Sequence, residues 1–128
     1  MPSYAKALNV IDNYDFSKVV NGAIRHGFDP RSVPEALKEL KAFFAACARN
    51  EVSLSPPSQE CDDLWHAFII ETRDYAAFCD ATFGEFLHHS SDVSPAMLAE
   101  SQKNTLRVFG PSTFATTAEC NDVRQIAA

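Results

Sequence analysis

A chain of 128 residues that is 46% hydrophobic and 22% charged has the size and make-up of one globular domain, which excludes a disordered chain and a fibre. Its formal charge of −6 repels a phosphate backbone, and Arg25, Lys38, Lys41, Arg49, Arg73, Lys103, Arg107 and Arg124 are dispersed along it, so direct nucleic-acid binding is not expected. No apolar run approaches the ~20 residues of a membrane span and MPSYAKALNV lacks the order of a secretory signal, so the expectation is a cytoplasmic protein without membrane contact.

Residues 1 to 14 carry only scattered apolar positions, Tyr4, Ala7, Leu8 and Ile11, compatible with a short helix or a loose lead-in. From Asp15, a good N-cap, the set Phe16, Val19, Val20, Ala23 and Ile24 repeats at helical spacing up to Gly27 and predicts a first amphipathic helix. Ser32 with Glu35 forms a capping-box pattern, Pro34 suits a first turn, and Val33, Leu37, Leu40, Phe44 and Cys47 make the stripe of a second helix ending near Asn50. Lys38, Glu39, Lys41 and Arg49 read as its solvated face.

The pair Pro56 and Pro57 forbids helix until Ser58 caps a new one. On it, Cys61, Leu64, Trp65, Phe68 and Thr72 fall within about 100° of arc and form the buried stripe. Asp62 and His66, four residues apart, stack on its flank, and Cys61 lies about 140° round from His66, too far to share an ion with it. The phase then resets at Tyr75, Phe78, Cys79, Thr82 and Phe83, after a bend near Arg73 or Asp74, and is interrupted at Gly84 before Phe86, His88 and His89. Ser94 and Pro95 start a last helix through Met97, Leu98, Leu106 and Phe109, stopped by Gly110 and Pro111. The expected architecture is all-α, a single domain of four or five helices over residues 1–110, with 111–128 as a flexible tail rich in Thr, Ala and small polar residues.

The chemistry-bearing residues concentrate between Ser58 and His89, which holds the only tryptophan and three of the four histidines. Asp62, His66, Cys79, His88 and His89 are the candidates. A carboxylate, imidazoles and a thiolate are the donors that Zn²⁺ takes, usually four in number. Asp62 and His66 supply a pair from one helix, and Cys79 with a terminal histidine completes a tetrahedron if Gly84 lets the chain fold back. The plainer alternative keeps Cys79 in the apolar stripe as a buried thiol and leaves His66 bonded to a carbonyl. Catalysis by Cys79 and a histidine needs a thiolate in an open cleft, and the phenylalanines around Cys79 argue for burial. No phosphate-binding glycine loop, nucleophile elbow or HExxH helix is present. His26, beside Gly27 at a helix end, reads as a partner of the helix dipole. Trp65, Phe68, Tyr75, Phe78, Phe83 and Phe86 read as core rather than a binding groove.

The order Pro57-Ser58, Asp62, Trp65-His66-Ala67-Phe68-Ile69, Thr72-Arg73-Asp74-Tyr75, Phe78-Cys79, Phe83-Gly84 and Phe86-Leu87-His88-His89 resembles the bacterial glycine-rich domain-containing-protein-like family and, more distantly, a domain of plant glycine-rich domain proteins. The resemblance marks Asp62, Trp65, His66, Tyr75, Cys79, Gly84 and His89 as shared positions. It implies a Zn²⁺ site at Asp62, His66, Cys79 and His89, and it implies no defined activity. The bacterial members continue with sequence rich in Leu, Pro and Phe, which the stretch after Phe109 does not match. The expected function is a small acidic, non-catalytic module that works by binding another protein, as an adaptor or inhibitor, with a structural zinc. The alternative is a metal-dependent enzyme or redox protein using His66 and Cys79.

Overall fold

Ser3 opens the first helix: its hydroxyl accepts from the Lys6 N–H, and Ala7 and Ile11, one turn apart on one face, are fully buried. The lead-in is therefore a helix in the core, α1 (Tyr4–Asn13). The computed structural model describes residues 2–49, 54–89 and 94–110. After α1 come α2 (Ser17–Arg25), a 3₁₀ turn (Pro30–Ser32), α3 (Val33–Ala48), α4 (Gln59–Ile69), α5 (Thr72–Phe83) and α6 (Pro95–Phe109). The described residues form an all-α fold with six helices rather than four or five. The expected tail at 111–128 and Cys120 lie outside the described residues.

The extra helix has a local cause. Tyr14 is extended, and the Asp15 carboxylate accepts from the Ser17 backbone N–H at 3.0 Å in a turn that leads into α2, whose N-cap is Phe16 rather than the expected Asp15. The capping box at Ser32 does not form. Ser32 is already helical (φ −86°, ψ −9°) because the 3₁₀ turn runs straight into α3. Asp29 starts that turn instead, accepting from the Arg31 N–H at 2.9 Å.

Ala36, Leu40, Phe43 and Phe44 are the buried residues of α3, whereas Val33, Leu37 and Cys47 are only half-buried. α3 packs on α4 and α1, α2 on α4, and α1 on α5. Phe44 lies within 6.3 Å, centroid to centroid, of the rings of Phe43, Trp65, Phe68, Phe78 and Phe83. Such pairs contribute about 0.5–1.5 kcal/mol each beyond area burial, and here they fix the mutual position of three helices.

Ser58 caps α4 as its sequence predicts, accepting from the Cys61 N–H at 3.0 Å, and its hydroxyl donates to Glu39 on α3 at 2.5 Å. Cys61, Leu64, Trp65 and Phe68 are buried, but Thr72 is exposed because α4 ends at Ile69. The Glu71 backbone has ψ +67°, which breaks the helix, and Lys18 ties the corner down through Glu71 and Asp74 at 3.3 and 2.9 Å. α5 buries Tyr75, Phe78, Cys79, Thr82 and Phe83, all five of the expected stripe. Gly84 (φ +76°) ends it in the left-handed conformation, a turn that other residues adopt at a cost. α6 is capped by Ser94 and held through Thr105, whose hydroxyl accepts from the Ser55 N–H and donates to the Ser55 carbonyl at 2.8 and 2.6 Å.

Candidate metal centre

Gly84 turns the chain so that residues 85–89 run back beside α4. Two polar contacts hold that return. The Tyr75 hydroxyl donates to the Leu87 carbonyl at 2.5 Å and accepts from the Trp65 indole N–H at 3.0 Å. The Leu87 N–H approaches the Cys79 sulfur at 3.5 Å. The segment is thus pinned at Leu87, two residues before His89.

His89 then stacks flat on Trp65, with ring centroids 4.0 Å apart and planes within 6°. Its Nε2 lies 2.6 Å from Asp62 Oδ1 and 2.9 Å from His66 Nε2, and the latter two are 3.7 Å apart. Asp62, His66 and His89 thereby offer three ligand atoms at one point. Asp62 and His66 come from one face of α4, four residues apart, and His89 comes from the return segment. The side chains of Asp62 and His89 are 5% and 9% exposed, and that of His66 is 45% exposed, so the cluster is walled on one side and open at His66.

Proton counting gives the arrangement two forms. A neutral imidazole nitrogen carries either one proton or one lone pair. If His89 Nε2 bears the proton, that proton is shared between the carboxylate and His66 Nε2. If His66 Nε2 bears it, the His89 lone pair faces the carboxylate at 2.6 Å. A single cation among the three atoms would take one lone pair from each. Tetrahedral ligand atoms around Zn²⁺ at ~2.0–2.2 Å stand about 3.3–3.6 Å apart, so holding the ion requires His89 to move outward from its 2.6 and 2.9 Å hydrogen-bond separations.

Cys79 lies outside this group. It is fully buried, its sulfur faces the Leu87 N–H, and burial pushes the thiol above its ordinary range despite the opposing hydrogen bond from Leu87. Its surroundings favour the neutral thiol over a thiolate. His88 is exposed and rests against Phe86, with ring centroids 4.7 Å apart. His26 caps the end of α2 through its backbone N–H, and its exposed side chain lines a surface cavity that His66 also lines.

Two residues that the sequence assigns to the core serve the centre as well: Trp65 as the surface beneath His89 and Tyr75 as the clamp on Leu87. Helical spacing marks both as buried, but nothing in spacing shows that a segment 12 to 24 residues on returns to them.

Fold and cluster together define an all-α domain with a carboxylate and two imidazoles converging at the edge of its core. The chain belongs to the UCP032817-like family, whose model matches residues 6–122. No curated protein and no solved structure matches it significantly. Among the described residues no helix is long and apolar enough to cross a membrane.

Proposed function

We propose that this protein is a small metal-binding helical module in which Asp62, His66 and His89 hold one Zn²⁺, and that the ion fastens the return segment 85–89 onto α4. The observation that carries the reading is the convergence of Asp62 Oδ1, His66 Nε2 and His89 Nε2. The resemblance of residues 57–89 to the glycine-rich domain-containing-protein-like pattern supports it, because Asp62, Trp65, His66, Tyr75, Gly84 and His89 are among the positions that build the centre.

The module acts by binding another protein, as an adaptor or inhibitor. An ion that fixes the 85–89 segment also fixes Phe86, which is 43% exposed rather than in the expected core and forms an apolar surface point against Tyr75 and His88. Titrating the purified protein with Zn²⁺ tests the metal. One equivalent should bind to the wild type, and Asp62→Asn or His89→Ala should remove it; equal uptake by the variants overturns the assignment.

A second reading rests on a separate observation. Three protein ligands with a half-exposed His66 leave a coordination position for water, the arrangement of catalytic rather than structural zinc. In that reading the protein is a metal-dependent hydrolase in which His66 is a ligand and Cys79 has no part. Hydrolysis of activated esters by the zinc-loaded protein, abolished in His89→Ala, would favour it over the structural role.

A further inference from the structure

α2 and α4 pack side by side, and between the end of α2 and the middle of α4 the chain leaves a cavity of about 420 Å³. Its space comes from small residues. Ala67 has no side chain beyond Cβ, and Gly27 turns with φ +100° and has none at all. The volume falls within the ~300–1,000 Å³ of small-molecule sites. Phe28 and Ile70 supply apolar walls, and Ile70 is 59% exposed.

Among the described residues, three polar side chains line it: His26, His66 and Asp63. Asp63 is the one carboxylate among the described lining residues. Its Oδ1 accepts from Gln59 at 2.6 Å, which fixes the carboxylate on α4. The chain as a whole carries −6, which adds to the attraction for a cation.

We propose that this cavity binds a small organic cation, an ammonium carried on an aryl or short alkyl body, with the charge on Asp63 and the body against Phe28 and Ile70. An ammonium donates to the carboxylate and to an imidazole nitrogen of the lining, while the body packs on Phe28 and Ile70. The site shares His66 with the metal centre but does not rest on the ion.

The test uses phenethylammonium, with 2-phenylethanol as the neutral analogue of similar shape and 3-phenylpropionate as the anionic one. Binding is followed by amide chemical shifts of Gly27, Ala67 and Ile70 in the full chain, with EDTA present so that the result stands apart from zinc. Phenethylammonium should bind roughly tenfold or more tightly than the alcohol, the margin of a charge-assisted hydrogen bond, and the propionate should bind least. Asp63→Asn, which keeps an acceptor for Gln59, should erase the preference for the amine, and Ile70→Ser should weaken amine and alcohol together. No binding by any probe, equal binding of amine and alcohol, or an unchanged preference in Asp63→Asn overturns the proposal.

Discussion

The imidazole of His89 lies parallel to the indole of Trp65 at 4.0 Å, which places the chain's only tryptophan in van der Waals contact with a candidate metal ligand. Any ion bound at His89 Nε2 changes the charge on a ring that shares its face with the fluorophore. Zinc titration should therefore change Trp65 emission with a one-to-one end point, and His66→Ala should shift that end point to higher zinc. Emission that stays constant through saturating zinc would contradict the placement.

Tyr75 bridges the core and the return segment. It is fully buried, donates to the Leu87 carbonyl and accepts from Trp65. Tyr75→Phe removes both bonds and leaves a buried indole N–H without its acceptor, at a cost of about 1–3 kcal/mol. Denaturant unfolding should show that loss, and zinc affinity should fall with it because His89 is less firmly held. Full stability with weakened zinc binding would restrict Tyr75 to positioning.

Cys79 separates the four-ligand arrangement from the three-ligand one. Cys79→Ala should leave zinc stoichiometry at one per chain and destabilise the fold by roughly 1 kcal/mol through lost packing. Elemental analysis beside a melting curve reads both. Loss of the metal in this variant would return Cys79 to the ligand set.

Burial raises the thiols of Cys47, Cys61 and Cys79, that of Cys47 from 9.0 to about 12. A group whose folded pKa lies above its unfolded value binds more protons when folded. Its contribution is fully present below pH 9 and declines as pH rises from there toward the folded value. Stability should thus be flat with respect to these thiols near neutrality and fall above pH 9, by up to ~1.4 kcal/mol per pH unit for each thiol that stays protonated. Chemical denaturation at stepped pH checks the slope. Replacing Cys61 with Ala should lessen it.

Thr105 anchors α6 to the connector before α4 by two hydrogen bonds to Ser55, both residues being buried. Thr105→Val keeps the shape and loses both. A destabilisation of about 2–3 kcal/mol is expected, with hydrogen exchange rising first in α6. Unaltered exchange there would show that Phe109, which packs against the core, holds the helix by itself.

Much of the fold follows from local signals. The caps at Ser58 and Ser94, the stop at Gly84 and the stripe from Tyr75 to Phe83 sit where residue type and spacing place them. Ser32 misleads because a capping box needs an extended residue, and the preceding 3₁₀ turn makes it helical. Thr72 misleads because the break at Glu71 ends the phase of α4 three residues early. At the candidate centre, the pairing of Asp62 with His66 is legible as helix geometry. Cys61 is set aside by the same geometry and the resemblance names His89, but the arrival of His89 without Cys79 is not legible. It depends on how Tyr75 and Trp65 receive the returning segment, and those contacts span 12 and 24 residues.

A crystal grown with Zn²⁺ and measured on both sides of the zinc absorption edge addresses the central claim most directly. The account predicts one anomalous peak bonded to Asp62 Oδ1, His66 Nε2 and His89 Nε2, with the Cys79 sulfur still against the Leu87 N–H. A zinc peak ligated by Cys79, or none at these three atoms at saturating zinc, would contradict it.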